Sequence, residues 1–390
     1  MQEALIITTA IAFLLFTGVL CSWIGSKLRI PDVLLLLLAG MLFGAIQYKN
    51  EALIEFPTTF LTSAAILALA MIVFDSTARL RLRELDTFSS KAINLTFINT
   101  IFTLVLFTAA THYILSLPFW SSLLLAAIVT GTSPEVMLMY GGKSKALTLL
   151  KLESIFNTPL TVILPFLVLD LMNSIKTTML AELIEQATPF VMKFIVGIGA
   201  GIFVGIVLFK VVQKAHTQLY SPLAVIVAAL LSYVLAENLG GSGVLAVTAL
   251  GLFFGNVYVK EKINLLQAES VLAKALYILV FMLTGLIIKI PYTKEFFITS
   301  GILFGAYTAI RFIACWLSAH KEYSTSEIVY MALNAPKGIA TAAVVFILAL
   351  HNIETMATVI DMTFAFILYS IILSSITTWV TNLENHTARH

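Results

Sequence analysis

Charge is the scarcest feature of this chain: of 390 residues, 23 are Lys or Arg and 21 are Asp or Glu, 11% in all, against 59% hydrophobic. A water-soluble domain needs roughly a quarter charged residues to solvate its surface, so a soluble fold is excluded. No stretch is polar and long enough to form a separate globular domain, which excludes a soluble enzyme on a single anchor. The net charge of +2 lacks the dense basic face that a nucleic-acid partner needs. Only two cysteines occur, Cys21 and Cys315, both inside apolar runs, so neither a disulfide framework nor a metal site is expected. The six histidines (His112, His216, His320, His351, His386 and His390) fall at or near the ends of apolar runs or in loops and tail, and no HExxH-like pair lies at depth. A phosphate-binding glycine loop is also missing: Gly197-Ile198-Gly199-Ala200-Gly201 lies inside an apolar helix and reads as close helix packing. The chain is therefore expected to be neither an enzyme nor an ATP-driven pump, and to need no cofactor.

What is present is a series of long apolar runs. A helix must satisfy its own backbone in hydrocarbon and needs about 20 apolar residues to cross it. Thirteen runs qualify, at about 4–24, 31–48, 58–78, 92–115, 119–140, 149–173, 187–212, 222–238, 242–259, 271–290, 296–319, 327–350 and 355–381. The expected fold is all-α and embedded in the lipid bilayer. The first run, Leu5 to Trp23, has no basic leader and reads as a first span rather than a cleaved signal. Loops after odd-numbered runs hold Lys27 and Arg29; Arg79, Arg81, Arg83 and Lys91; Lys143 and Lys145; Lys210 and Lys214; Lys260 and Lys262; and Lys321. Loops after even-numbered runs hold far fewer. Basic residues are retained on the cytoplasmic side, so the N-terminus is expected outside and the C-terminus inside a plasma membrane.

Two of the runs are interrupted. The fifth contains Val129-Thr130-Gly131-Thr132-Ser133-Pro134-Glu135, and the twelfth Leu333-Asn334-Ala335-Pro336-Lys337-Gly338. Proline removes a backbone donor and clashes with the preceding turn, so each helix either kinks for packing or unwinds and frees carbonyls at membrane depth. The breaks lie seven runs apart, which sends the two helices through the membrane in opposite directions. This pattern predicts an inverted repeat, residues 4–173 against 222–381, with 187–212 as linker helix. Opposed half-helix ends near the midplane then make a site for an ion or small solute.

An ionisable side chain at the bilayer centre costs about 2.5–3.5 kcal/mol, so each needs a partner or a role. The deep candidates are Asp75, Glu135, Glu153, Asp170, Glu237, Arg311, Lys337 and Asp361. Asp170 and Glu237 lie near helix ends, where an interfacial role is expected. Glu153, Asn157 and Thr158 stand at i, i+4 and i+5 and offer a carboxylate, an amide and a hydroxyl from one helix face. Hard cations such as sodium take such oxygens. Glu153 has a second reading, a structural ion pair with Arg311, and the two are compatible.

These residues resemble the NhaP/NHE-type cation:proton antiporters over essentially the whole chain. Ile30-Pro31-Asp32-Val33-Leu34 followed by Ala39-Gly40 is similar to the start of that family's second span, and Phe74-Asp75-Ser76-Thr77-Ala78-Arg79-Leu80 to its Phe-Glu-Gly-Gly-Leu region. Thr132-Ser133-Pro134 stands where the family has Thr-Asp-Pro, and Glu153-Ser154-Ile155-Phe156-Asn157-Thr158 where it has Glu-Ser-x-x-Asn-Asp. Gly240-Gly241-Ser242-Gly243-Val244-Leu245-Ala246, Ile310-Arg311, and Pro336-Lys337-Gly338 for Pro-Arg-Gly complete the series. The resemblance implies an NhaA/NhaP-like fold with two crossed broken helices and with core and dimerisation bundles. It implies a homodimer exchanging sodium or another small monovalent cation for protons by alternating access. Asn157 and position 158 would form the ion site, Thr132 would line the crossing, Arg311 would hold Glu153, and residue 337 would balance the dipoles of the unwound helices.

Four departures bear on mechanism. The family's site aspartate is Thr158, and the aspartate of Thr-Asp-Pro is Ser133, while Glu135 is a carboxylate where the family has an apolar residue. Asp75 shortens the family glutamate by one methylene. Glu135 either supplies the lost carboxylate, supported by Glu153 or Asp75, or pairs structurally with Lys337. The expected function is cation:proton antiport. Its rivals are the same fold carrying an anionic or neutral solute or uncoupled from protons, and a transport-dead sensor or assembly partner.

Overall fold

Apolar runs of this length close their backbone hydrogen bonds internally, and the computed structural model is accordingly helical. It describes residues 2–28, 32–48, 51–52, 56–78, 87–132, 144–174, 180–214, 220–257, 262–287, 291, 293–349 and 355–387. The helices are α1 (Gln2–Leu28), α2 (Asp32–Ala45), α3 (Thr58–Ala78), α4 (Thr87–Phe102), α5 (Thr108–Leu115), α6 (Phe119–Val129), α7 (Lys145–Ser174) and α8 (Leu180–Lys214). They continue as α9 (Tyr220–Asn238), α10 (Gly243–Asn256), α11 (Lys262–Ile287), α12 (Lys294–Ala319), α13 (Thr325–Leu333), α14 (Ile339–Leu348) and α15 (Met356–Thr387). A π-helical turn, Thr103–Phe107, joins α4 to α5. The one non-helical pairing among the described residues is a two-residue antiparallel ladder, Gln47–Tyr48 with Glu51–Ala52, which the all-α expectation did not include.

Seven stretches among the described residues are long and apolar enough to cross a membrane: Leu5–Lys27, Thr58–Asp75, Ser90–Leu115, Lys145–Met172, Val191–Lys210, Lys294–Ala319 and Met356–Thr378. Five further apolar helices are shorter, α6 among them. The fifth expected span, read to residue 140, begins as α6 and leaves the helix over Thr130–Thr132; residues 133–143 lie outside the described set. The twelfth is two short helices, α13 and α14, on either side of a non-helical Asn334–Gly338. The eighth and ninth runs are separate helices because Gly240, at φ +73°, turns the chain between α9 and α10, and the Gly241 amide donates to the Ala236 carbonyl at 2.8 Å. Only glycine adopts that backbone region at little cost.

The chain divides into two compact units. The first comprises residues 1–62, 86–161 and 278–390, and the second residues 63–85 and 162–277. In the first, α4 runs antiparallel to α12: Lys91 pairs with Glu322, Asn94 donates to Ser318, and Phe107 meets the Tyr307 ring edge-on at 6.0 Å. Helix α6 packs on α5, α14 and α15, so the first break is enclosed by helical neighbours. In the second unit α8, α9 and α10 pack together, and small residues let their backbones meet. A side chain on Gly201 would fall 2.1 Å from the Ala246 carbonyl oxygen, and one on Gly197 2.8 Å from that of Ser242. Close packing is thus the role of Gly197 and Gly201 in this stretch. The α1 surface is apolar and open: Leu5, Ile6, Phe16, Val19 and Trp23 are all more than half exposed, as suits a lipid-facing helix.

Candidate functional site

The last turn of α6 ends at Thr130, whose hydroxyl donates back to the Ala127 carbonyl at 2.8 Å, and Gly131 and Thr132 follow outside the helix. There is no room beside Gly131 for a larger residue. A Cβ there would stand 2.6 Å from the Thr161 hydroxyl of α7 and 2.9 Å from the Thr341 hydroxyl of α14. Helix α7 supplies Asn157, fully buried, whose amide nitrogen donates to the Thr130 carbonyl at 2.9 Å and to the Thr132 hydroxyl at 3.1 Å. Its side-chain oxygen is buried with no partner among the described residues. A buried amide oxygen left unsatisfied is costly and calls for an occupant. Thr158, next along α7 and half-buried, donates to the Ser154 carbonyl at 2.7 Å, which leaves the lone pairs of its hydroxyl for a ligand.

The break between α13 and α14 meets the C-terminal end of α6 through Lys337. Its side chain is fully buried, and all three ammonium donors are used: to the carbonyl oxygens of Val129 and Gly131 (2.8 Å for the latter) and to the Tyr307 hydroxyl. Because these carbonyls end α6, the negative end of that helix dipole lies at the ammonium. The Lys337 amide donates to the Ser370 hydroxyl of α15 at 2.9 Å. Three residues earlier, the Asn334 side-chain oxygen accepts from Ser374 at 2.7 Å and Thr378 at 2.9 Å, also on α15. Hydroxyls of α15 thus satisfy the polar groups that proline-induced unwinding exposes.

One turn beyond Tyr307 on α12, Arg311 donates two parallel bonds to the Glu153 carboxylate of α7, each 2.8 Å, with both side chains at 0% exposure. The planar fork of arginine matches a carboxylate in this bidentate way. The profile of the family described as "Sodium/hydrogen exchanger, transmembrane" matches residues 11–382. The chain belongs to this family. It is an integral membrane protein of the transmembrane cation:proton antiporter family, a family of transporters. Among curated proteins it is 28% identical over 329 residues to the K(+)/H(+) antiporter NhaP2 of Shewanella sp. (strain MR-4), covering 81% of this chain and 56% of the relative. The chain therefore spans little more than half the length of that relative. It is 27% identical over 394 residues to the Na(+)/H(+) antiporter NhaH of Halobacillus aidingensis, covering 94% and 95% of the two chains. In fold it is similar to the sodium proton antiporter MjNhaP1 of Methanocaldococcus jannaschii, with a TM-score of 0.78 at 23% identity over 97% and 99% of the chains.

Of the residues that the sequence of this exchanger-family member nominates, the structure brings Thr132, Asn157 and Lys337 to the two breaks, and Glu153 with Arg311 to the neighbouring pair. Ser133 and Glu135 lie outside the described residues. Asp75 lies on α3, half-buried, in the part that belongs to the second unit. The two carboxylates expected near helix ends have structural partners: Asp170 accepts from Lys193 at 2.6 Å, and Glu237 accepts from the Gly243 amide at 2.7 Å. Asp361 is half-buried on α15. Tyr307 went unnoticed in the sequence, as did the polar row Ser370, Ser374 and Thr378. A signal for Tyr307 was available: it stands four residues before Arg311, on the same face of α12.

Proposed function

We propose that this protein is a secondary antiporter that exchanges a small monovalent cation, sodium or a similar ion, for protons by alternating access. The observation that carries this reading is the fully buried side-chain oxygen of Asn157, unpartnered among the described residues, beside the end of α6. With the hydroxyls of Thr132 and Thr158 it offers the neutral oxygens that a hard monovalent cation takes in place of water. Glu153, committed with both oxygens to Arg311, acts as a support for α7 rather than as a ligand. The names of the NhaP2 and NhaH relatives support both the cation and the proton. The thirteen-span topology with inverted repeats over 4–173 and 222–381, two broken helices crossing at Lys337, an outside N-terminus and a homodimer in the plasma membrane form one reading with this function. The Lys337 contacts and the resemblance of the motifs support it.

Proteoliposomes loaded with a pH-sensitive dye and given sodium, lithium or potassium gradients test the proposal. Wild type is expected to move protons against at least one cation, and Asn157→Leu to lose that flux while remaining folded. The reading fails if no cation moves protons in wild type. Glu135→Gln belongs in the same assay, because Glu135 is the carboxylate that the sequence offers in place of the one absent at position 158.

A further inference from the structure

Five buried side chains of the first unit carry polar atoms with no partner among the described residues, and they converge on one level of that unit. Asn99 (both amide atoms), Thr100 and Thr103 stand on α4, the Asn157 oxygen on α7 and Nε of Arg311 on α12. None of the five is more than 6% exposed. Their levels follow from the helix pairings. Thr96 donates to the Glu153 carbonyl at 3.4 Å, so α4 and α7 meet there. Helix α4 runs antiparallel to α12, and so does α7. Arg311 holds Glu153, while Tyr307, a turn earlier on α12, shares Lys337 with Gly131, the neighbour of the Thr130 that Asn157 bonds. Helices α4 and α7 are therefore parallel, and Asn99 and Thr100, a turn past Thr96, come level with Asn157, a turn past Glu153.

This polar band lies between two apolar clusters. Before it, Ala92 and Leu95 of α4 pack with Leu150 of α7 and Cys315 of α12. After it, Phe107 meets the rings of Tyr307 and Phe366 at 6.0 and 5.5 Å. Thr103 opens the π-helical turn Thr103–Phe107, a wider turn of a kind that recurs at functional sites. Unsatisfied buried groups are costly one at a time, and five at one level call for a shared occupant. Asn99 offers a donor and an acceptor, Arg311 a donor, and each hydroxyl either. A bare cation suits only the oxygens in such a set. Water suits all of it.

We propose that α4 is the water-holding wall of the cation site: Asn99, Thr100 and Thr103 hold the waters that a monovalent cation keeps when it binds at the Asn157 oxygen, and so set which cation is preferred. The hydroxyls of Thr132 and Thr158 and the Asn157 oxygen are three ligands, fewer than the shell of a hard cation holds, so the ion arrives with water still attached. Its waters give their lone pairs to the cation and their hydrogens to the Asn99 oxygen and the threonine hydroxyls, while a further water accepts from the Asn99 amide and Arg311 Nε. Small ions bind water more tightly than large ones and make it a stronger donor. A wall of acceptors therefore favours lithium and sodium over potassium.

This inference deepens the antiport reading and rests on it, and the experiment separates the two. In the proteoliposome assay, wild type without cation-driven proton flux sinks the antiport reading and the inference with it. With flux present in wild type, titration calorimetry in detergent with sodium, lithium and potassium chloride tests the wall alone. Asn99→Leu and Thr103→Val are expected to bind sodium and lithium about tenfold more weakly, the loss for a hydrogen bond to a charged partner, and potassium with a smaller loss. Thr103→Ser, which restores the hydroxyl, is expected to recover the affinity. Sodium affinity in both Asn99→Leu and Thr103→Val equal to that of wild type overturns the inference and leaves antiport standing. An equal loss for all three cations, or a Thr103→Ser protein as weak as Thr103→Val, reveals a packing role and also overturns it. Because the waters come with the ion, Asn99→Leu is expected to melt no lower than wild type in cation-free buffer and to gain less from added sodium. A sodium-induced rise in melting temperature as large as that of wild type counts against the wall.

Discussion

Tyr307 and Arg311 stand one helical turn apart on α12, and each secures a different buried charge: Tyr307 accepts from Lys337 of the second break, and Arg311 forks onto Glu153 of α7. One helix face therefore holds both the polar groups of the α13–α14 break and the ion pair that anchors α7. A shift of α12 relative to α7 would disturb both, which ties the support of the site to its charge.

The Glu153–Arg311 pair is fully buried, so removing one partner leaves an uncompensated charge. Arg311→Met is expected to destabilise the protein by about 3–5 kcal/mol. The double variant Glu153→Leu with Arg311→Met is expected to recover most of that loss, because no charge is left unpaired. Unfolding in detergent, followed by intrinsic fluorescence, checks the ordering. A double variant less stable than the single one contradicts it.

Thr158→Asp puts a carboxylate on α7 at the position next to Asn157. Ionised, it attracts the cation; protonated, it does not. Cation affinity is therefore expected to rise above wild type at pH values above the carboxyl's pKa and to fall as pH drops through it. Sodium-binding isotherms at a series of pH values measure this, and an unchanged affinity across the series would remove position 158 from the site.

Asn99 is fully buried on α4 with neither amide atom partnered among the described residues. Replacing an unsatisfied amide by an apolar group of similar shape removes a desolvation cost of about 1–3 kcal/mol, so Asn99→Leu is expected to raise the melting temperature. A fall instead identifies an ordered water on the amide.

Gly201 lies against the Ala246 carbonyl, where an added Cβ would approach to 2.1 Å. Backbone cannot yield as a flexible side chain does. Gly201→Val is expected to cost stability, while Gly199→Ala, with nothing within 4 Å, is expected to cost little. Thermal unfolding of the two variants side by side makes the comparison.

Much of the site was legible from residue type and spacing alone. Proline at 336 inside an apolar run marks the break between α13 and α14, because a missing donor matters most where no water can replace it, whereas Pro134, just past the end of α6, lies outside the described residues. Glu153 and Arg311 were readable as partners because a charge at depth demands an opposite one. Tyr307 was not readable, since a tyrosine in an apolar helix resembles any core aromatic until its hydroxyl is seen to meet an ammonium. The role of Asn157 was half legible: its place on the helix face follows from spacing, but the unpartnered oxygen depends on which neighbours the fold brings near.

Composition and run length by themselves determined a helical chain in lipid, since an 11% charged sequence cannot solvate a surface and an apolar segment must close its own hydrogen bonds. The placing of glycine and proline also set the turn between α9 and α10 and the break between α13 and α14, both local consequences of backbone chemistry. Only the tertiary structure decided that Lys337 reaches the carbonyls of the other break, 206 residues from Gly131 along the chain, and that Tyr307 completes its shell. Those contacts depend on how α6, α12 and the α13–α14 break pack together, and packing between distant segments is fixed by the shape and burial of the whole unit rather than by any local pattern.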